Sequence, residues 1–310
     1  MTLKTRAPFL ALLALLAMSL TAFAGSHSRH HGTSTTTHDD SDSANCSERY
    51  DVSFGDYATD RGEEERTFQK SDFPNGLRLE AARNGGIAVL GWERNDILIK
   101  ACKAAGGESA AEGKRRLDQI HIQVEGGTVS ATGPATEGLW VVHLLAFVPK
   151  GMKLEMAATN GPVSLRKFQG TVSMRTVNGP ISIHRSSGEI TARATNGPVS
   201  LFGSSGNIHL EVQNGPLDVN LTSDRWEGAG LEASARNGPI ALRLPSGYRS
   251  GVEVFSDGYS PFNCESAACP PGSRTWDDRH KMVRLGPAGQ PVVVRMSTVN
   301  GPVSIHSSLD

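Results

Sequence analysis

Two segments that interrupt an otherwise regular sequence concentrate the side chains best suited to bind a ligand. They cover residues 224–230 and 259–281. Aromatic rings stack on sugar rings or peptides, and an arginine adds a charged hydrogen-bond donor. The residues in and beside these segments predict a ligand-binding site formed by Trp226, Tyr248, Tyr259, Phe262, Arg274 and Trp276. The alternative is that these rings only pack the segments onto the rest of the fold, and the sequence leaves both interpretations open.

A stretch near the N-terminus is rich in imidazole and carboxylate groups, which are common ligands of divalent metals. Its candidate metal ligands are His27, His30, His31 and His38, with Asp39 and Asp40. The same stretch is rich in Ser and Thr and has no apolar period, which is typical of a solvated tail. We therefore interpret residues 25–45 as a disordered linker and expect no metal and no other cofactor.

The sequence contains none of the local motifs that mark common catalytic sites, such as GxSxG, HExxH or a P-loop. Enzymes that cleave polysaccharides need acidic groups close together on one face. The strand positions expected to face outward are mostly Ser, Thr and Ala, and Asp218 stands alone among serines. The row Arg175, Arg193 and Glu211 is mixed in sign, as in a solvated face. We therefore expect a protein that is not an enzyme.

The N-terminus has the pattern of a secretory signal peptide over residues 1–24. Lys4 and Arg6 precede an apolar run at residues 9–20, and Ala22-Phe23-Ala24 offers small residues for cleavage. The run is shorter than the roughly 20 residues that span a bilayer. The pattern predicts export to the periplasm or the cell surface, with no transmembrane segment in the mature chain.

Four cysteines in an exported chain indicate disulfides. Three pairings are possible, and we favour Cys46–Cys102 and Cys264–Cys269 because each joins cysteines from the same half of the chain. A zinc site is the alternative, although no Cys-x-x-Cys spacing accompanies the cysteines.

The most informative pattern is the tripeptide Asn-Gly-Pro, which occurs six times. Its asparagines are Asn160, Asn178, Asn196, Asn214, Asn237 and Asn300, and a degenerate copy begins at Asn84. The first three intervals are 18 residues each, and a short fixed period is typical of a solenoid. We expect these side chains to form an inward-facing ladder of hydrogen-bonded amides at a stacked turn, about 4.8 Å apart.

Each repeat contains two short strands in which apolar and polar residues alternate, as expected when one face is buried. Residues 18 apart should therefore stack in apolar files. The first predicted file is Val163, Ile181, Val199, Leu217, Ile240 and Val303. The second is Leu165, Ile183, Leu201, Val219, Leu242 and Ile305, and the third is Val172, Ile190 and Ile208. The serines between them, Ser164, Ser182, Ser200 and Ser304, should face water.

The predicted fold is an all-β, single-chain β-solenoid, similar to a parallel β-helix, with two short strands per repeat. Residues 46–155 form its N-terminal strands, and a helix over residues 108–117 covers one end, because an uncovered terminal layer is an exposed sheet edge. Residues 156–310 form the regular Asn-Gly-Pro part with its two insertions. Ile305 lies on the strand of the last repeat, just before the end of the sequence. If nothing covers the edge of that strand, we expect self-association through this C-terminal edge.

The units TNGPVSL and VNGPISI, with the stretches GWERNDILIK and VPKG, resemble the bacterial "putative adhesin" domain family of unknown function. The resemblance spans residues 75–306, and the segment 259–281 departs from the family pattern. It implies a β-solenoid associated with the cell envelope, without an assigned catalytic site and without functional residues to carry over.

We therefore expect an exported, non-catalytic, adhesin-like structural or binding module of the cell envelope. The alternative is an envelope protein that binds or cleaves polysaccharide through the insertions at 224–230 and 259–281. The ligand stays open, with a cell-envelope polysaccharide or a protein as the expected partner. A nucleic-acid partner is not expected, because the sequence has 31 basic and 32 acidic residues and therefore no excess of positive charge to bind phosphates.

Overall fold

A computed structural model describes residues 33–37, 42–135, 139–258, 261–269 and 281–308. These residues are mostly β-structure, arranged in two large sheets that do not close on each other. The apolar faces of the two sheets meet in one core, because inward residues of both sheets belong to a single cluster of buried side chains. Among the described helices, none combines the length and the hydropathy of a membrane span.

The described elements run in chain order as follows. The N-terminal strands are β1 (Thr33–Thr37), β2 (Tyr50–Phe54), β3 (Ala58–Gln69), β4 (Leu77–Glu80), β5 (Ile87–Trp92), β6 (Asp96–Gly107), β7 (His121–Glu125), β8 (Thr128–Thr132) and β9 (Trp140–Pro149). The Asn-Gly-Pro region contains β10 (Lys153–Asn160), β11 (Val163–Arg166), β12 (Gln169–Asn178), β13 (Ile181–His184), β14 (Ser187–Asn196), β15 (Val199–Phe202), β16 (Ser205–Asn214), β17 (Leu217–Asn220), β18 (Glu227–Asn237) and β19 (Ile240–Leu244). The last strands are β20 (Gly251–Ser256), β21 (Phe262–Cys264), β22 (Met282–Leu285), β23 (Val292–Asn300) and β24 (Val303–Ser307). The helices are α1 (Cys46–Arg49) and α2 (Ala110–Leu117), with a 3-10 turn at Lys70–Asp72.

Successive strands of the repeat region alternate between the two sheets. Sheet 1 has the order β22-β20-β23-β18-β16-β14-β12-β10-β4-β8-β7, and sheet 2 has the order β21-β24-β19-β17-β15-β13-β11-β5-β9-β6-β3. Neighbouring repeat strands are parallel, and Val163 pairs with Ile181, which pairs in turn with Val199. From β10 to β17 the spacing of 18 residues is thus the register of both sheets.

The three apolar files predicted from the period are confirmed. Val163 and Ile181 of the first file, Leu165 and Ile183 of the second, are completely buried, and Ile190 of the third is 1% exposed. The serines between the files are less exposed than expected. Ser164 is buried, and the other three are half-buried.

The asparagine side chains form a ladder along one corner of the stack. Asn178 Nδ2 donates to Asn160 Oδ1 at 2.9 Å, and Asn196 Nδ2 donates to Asn178 Oδ1 at 3.0 Å. The same bond links the remaining pairs, Asn160 to Asn84, Asn214 to Asn196, Asn237 to Asn214, and Asn300 to Asn237. The expectation that the ladder faces inward is wrong. The inward alternation ends at Thr176, and Asn178 is exposed at the corner.

The glycine after each asparagine allows the repeats to approach closely. A Cβ at Gly179 would lie 2.2 Å from the carbonyl oxygen of Gly161, and one at Gly197 would lie 2.2 Å from that of Gly179. Gly197 also has a φ of 144°, a conformation that L-residues with a side chain rarely adopt. The corner therefore requires glycine for two independent reasons.

Residues 42–57 lie against the outer face of sheet 2. Cys46 is disulfide-bonded to Cys102, with Cα atoms 5.4 Å apart, and the pair belongs to a small buried cluster that also contains Leu145 and Phe147. The other expected pairing, Cys264–Cys269, is also present. Both disulfides thus have the pairing favoured by the sequence.

The prediction of a disordered linker over residues 25–45 does not hold for its described part. Thr33–Thr37 form β1, which pairs antiparallel with β2, and four of its five residues are β-branched threonines that favour strands. Asp42 forms ion pairs with Arg166 and Lys167 of the repeat region. The hydrogen bond from Lys167 lowers the pKa of Asp42 below its usual value.

His143 is the polar residue inside the otherwise apolar strand β9. It is 2% exposed, its ring stacks on Tyr50 with centroids 4.2 Å apart, and its Nδ1 accepts a hydrogen bond from the backbone N–H of Gly86 at 3.0 Å. Burial lowers the pKa of His143 to about 4. The imidazole is therefore neutral, and its proton resides on Nε2.

Helix α2 packs against β6 and β3 at the end of sheet 2. Ser109 caps it by accepting a hydrogen bond from the backbone N–H of Glu112, and Leu117 is buried in the main core. The helix predicted over residues 108–117 is confirmed, two residues shorter at its start, and it lies at the end of the stack as expected.

The last repeat does not occupy the end of the molecule. Strand β24 lies between β19 and β21, and β23 lies between β18 and β20. The condition for self-association at Ile305, an uncovered strand edge, is therefore not met, because Ile305 pairs with Leu242 on one side and Cys264 on the other. At this end of the two sheets, the outermost described strands are instead the short strands β21 and β22.

We predict that Gly197→Ala lowers the free energy of unfolding by roughly 3 kcal/mol or more, because the new methyl group meets a carbonyl oxygen in an unfavourable backbone conformation. Urea unfolding followed by circular dichroism measures the change. Gly203→Ala is the matched control, since its Cβ would meet its nearest atom only at 4.0 Å. Equal destabilisation by both substitutions would contradict the close approach described here.

We also predict that acid destabilises the fold through His143. The unfolded chain protonates this imidazole below about pH 6.5, whereas burial holds its pKa in the folded state at about 4. Stability is therefore complete above the unfolded pKa and falls as the pH drops from about 6.5 to about 4, by about 2–3 kcal/mol between pH 7.5 and 4.5. His143→Gln, which keeps an acceptor for Gly86, should flatten this part of the curve. Parallel pH profiles for the two proteins would refute the assignment.

Candidate binding surface

Three of the six side chains predicted to bind a ligand lie in the described part of the chain, and all three are buried. Trp226 is 6% exposed, Tyr248 5% and Phe262 9%, and all belong to the main core. Burying an aromatic side chain removes about 150–250 Å² from water, so the alternative interpretation, in which the rings pack the chain onto the sheets, holds for these three. Tyr259, Arg274 and Trp276 lie outside the described residues.

The polar atom of the Trp226 ring is satisfied within the chain. Its Nε1 donates to the carbonyl oxygen of Gly206 at 3.0 Å, and its backbone N–H donates to Ser250 Oγ at 2.9 Å. Burial raises the pKa of Tyr248 to about 12. The insertion at 224–230 thus anchors a turn to the core and does not present an aromatic ring to solvent.

The outer face of sheet 1 offers a larger surface, built from alternate residues of long parallel strands. Two shallow grooves of about 410 and 690 Å³ adjoin on this face and share Arg193. The first groove is also lined by Lys153, Ser173, Glu189, Thr191, Asn207 and His209. The second is also lined by Thr195, Glu211, Gln213, Ser234, Arg236 and Ser297. We refer to the two grooves together as the trough.

The strand register places polar side chains of the trough in rows across the sheet. Ser173, Thr191 and His209 are direct neighbours on successive strands, and Glu232 follows them. His209 Nδ1 lies 3.5 Å from a carboxylate oxygen of Glu232. Because the strands are about 4.8 Å apart, the hydroxyl, imidazole and carboxylate groups of this row form a regular series of hydrogen-bonding positions.

A second row carries the charges. Arg175, Arg193 and Glu211 are neighbours in register, and Arg193 Nε lies 2.9 Å from a carboxylate oxygen of Glu211. This ion pair is more than half exposed, so it contributes little to stability. In the part of the chain that the structure describes, Arg175 and Arg236 have no ion-pair partner. These guanidinium groups are therefore available to an external acceptor.

The row Arg175, Arg193 and Glu211 is an exposed mixed row, as expected. Asp218 does not stand alone, because Arg243 Nη1 lies 2.5 and 2.7 Å from its two carboxylate oxygens on the outer face of sheet 2. Arg243 lies on β19, the strand next to β17 in sheet 2. The sequence alone does not indicate this pair, because the residues aligned with Asp218 in the earlier repeats are serines.

Among the described residues, no titratable group with a shifted pKa value lies in the trough. The described groups with shifted pKa values are Asp42, His143 and Tyr248, and none of them lines the trough. The groups with shifted pKa values therefore lie elsewhere in the fold, outside the lining of the trough.

The histidine-rich stretch cannot be placed on this surface. His27, His30, His31 and His38 lie outside the described residues. Within the described ranges, no three His, Cys, Asp or Glu side chains converge in a geometry that would hold a metal ion.

Comparisons with known proteins found similar solved structures only at low identity and low TM-score. No protein-family model and no curated protein matches the chain. A putative cell adhesion protein from Clostridium sporogenes is 10% identical over 80% of this chain and 100% of its own, with a TM-score of 0.27. A putative adhesin from Bacteroides fragilis is 9% identical over 80% and 97%, with a TM-score of 0.38. A putative lipid binding protein from Parabacteroides distasonis is 10% identical over the same shares, with a TM-score of 0.29. The resemblance of the Asn-Gly-Pro units to an adhesin family stays a prediction.

We predict that Trp226→Ala lowers the free energy of unfolding by about 3–5 kcal/mol, because it leaves a cavity in the core. Trp226→Phe keeps most of the apolar volume but loses the hydrogen bond to Gly206, and its effect should be clearly smaller. Thermal unfolding of the two variants measures the difference. If Trp226→Ala were as stable as the wild type but bound less well to a glycan column, the result would contradict the packing role and support a ligand-binding role for Trp226.

Proposed function

We propose that this chain is an exported, non-catalytic β-solenoid that acts as an adhesin-like binding module of the cell envelope, with the trough as its ligand face. The solenoid proposal is supported by the register, in which residues 18 apart pair throughout β11, β13 and β15. It is also supported by the ladder, since each corner amide donates to the one in the previous layer. Such stacking stabilises repeats that could not bury enough apolar surface alone.

Export is supported by two independent features. The pattern of residues 1–24 matches a signal peptide. All four cysteines are paired in disulfides, which persist in oxidising compartments outside the cytoplasm.

The observation that carries the binding role is the exposed, regular outer face of sheet 1. A face formed by in-register parallel strands is rigid, so a ligand that contacts it loses little affinity to ordering of the protein. The trough offers hydroxyl, amide, imidazole and guanidinium groups at repeated spacings, and its exposed aromatic content is low. This chemistry suits an extended polar chain with hydroxyl and acidic groups, such as an envelope polysaccharide.

A binding role without catalysis is supported by the electrostatics of the trough. Glu189 and Glu211 lie on different rows, and the nearest partner of Glu211 is the guanidinium of Arg193. Two carboxylates on different rows, one of them paired with an arginine, do not form the close acid–base pair that polysaccharide cleavage needs.

We expect the double variant Arg193→Ala/Arg236→Ala to lose about tenfold in retention on purified cell-wall polysaccharide, because two charge-assisted contacts are removed. Affinity electrophoresis or a pull-down with the exported chain measures retention. The difference in retention between the wild type and the double variant should become smaller as the salt concentration rises, because salt screens exposed charges.

Arg243→Ala is the matched control, because it removes an arginine from the opposite sheet. It should bind like the wild type. Retention that is unchanged in the double variant, or that falls equally in Arg243→Ala, would remove the trough as the ligand face.

A further inference from the structure

The asparagine ladder has a direction. Every Nδ2 donates to the Oδ1 of the preceding layer, so that Asn178 donates to Asn160, and Asn160 donates to Asn84 at 3.3 Å. Aligned amides polarise one another. The ladder therefore ends at Asn84 with an amide donor that has no acceptor among the described residues, and this end is the positive end of the row.

The layer beyond Asn84 provides no further asparagine. Strand β9 pairs with β5 there, and its residues Val141 and His143 occupy the adjacent wall. Asn84, Val141 and His143 line a cleft of about 360 Å³ together with Thr33 and Thr35 of β1. The cleft is large enough for one sugar unit or a ligand of similar size.

His143, which lines this cleft, carries a second donor that has no partner among the described residues. Its Nδ1 is occupied by the backbone N–H of Gly86, and its Nε2, which carries the proton, is buried without a hydrogen-bond partner among the described residues. A buried donor without an acceptor is unfavourable, so a ligand oxygen that approaches Nε2 would remove this cost.

The remaining walls define the chemistry of the ligand. Pro162 and Pro180 add apolar surface, and the backbone of Gly85 and Gly161 completes the lining. No charged side chain is among the described residues that line the cleft. A neutral ligand with a carbonyl oxygen and an apolar portion matches this surface better than an anion does.

We propose that this cleft binds a carboxamide-bearing ligand of sugar size, namely an N-acetylated amino sugar. The acetamido oxygen takes the place that the Oδ1 of a further asparagine would occupy and accepts the Asn84 Nδ2 proton. The acetamido methyl group packs against the proline rings, and a second oxygen of the ligand accepts from His143 Nε2. The inference does not rest on the trough, which lies on the outer face of the other sheet.

Saturation-transfer NMR and calorimetry on the exported chain test the proposal with three probes. N-acetylglucosamine is expected to bind, whereas glucose, which lacks the acetamido group, and acetate, which is charged, are not. Binding should shift the imidazole signals of His143 in the wild-type protein, a readout that needs no substitution. Asn84→Asp keeps the acceptor for Asn160 but removes the terminal donor, and it should weaken binding by about tenfold.

Asn300→Asp makes the same chemical change at the opposite end of the ladder and should bind like the wild type. Equal binding of glucose, binding of acetate alone, absence of binding, or unchanged affinity in Asn84→Asp would each overturn the proposal, as would an equal loss in Asn300→Asp. The double variant Arg193→Ala/Arg236→Ala should bind N-acetylglucosamine like the wild type. The proposal for the trough and the proposal for the cleft can therefore be refuted independently.

Discussion

The fold depends on the close contact between the backbones of successive layers at the Asn-Gly-Pro corner. Each corner glycine lies so near the preceding carbonyl that a single methyl group would not fit, as for Gly197 against Gly179. The Gly179 N–H donates to the carbonyl oxygen of Asn196, and the Ile181 N–H donates to that of Pro198. The same few atoms therefore fix both the distance between layers and the register of the two sheets.

The apolar core follows from this contact. Once the corners are aligned, Ile183 lies directly beside Leu165 and Leu201, and these side chains are at most 2% exposed. The corner bonds are polar and lie at the surface, whereas the apolar files behind them supply most of the favourable burial. The exposed asparagine ladder adds direction to the stack, since all of its described amides point the same way along it.

Much of the fold could be predicted from the sequence because its period is a direct record of spatial contact. Positions 18 apart touch, so the files at Val163 and Leu165, the capping helix and the disulfide pairings are readable from composition and spacing. The order of the last layers is not, because Asn237 and Asn300 are adjacent in the ladder although 63 residues separate them. The residue type at position 226 could not show whether the Trp226 ring is buried or exposed, because tryptophan is common in both environments. His143 was detectable in principle, as the one imidazole within the apolar run of β9, but its unsatisfied Nε2 depends on neighbours that are remote in sequence.

The insertion of β23 and β24 between earlier layers has a consequence for how the chain assembles. The layer formed by β20 and β21 is synthesised before the strands that it must rest on, so it has no docking surface until the final repeat emerges. Until then β20 can pair with its antiparallel neighbour β22, whereas β21 still lacks the described strand that it pairs with, β24. The non-local pairing with β23 and β24 is therefore the slow step. The Cys264–Cys269 loop closes over five residues and can form before that step. The disulfide therefore restricts the conformation of the chain next to β21 before its neighbour β24 is available.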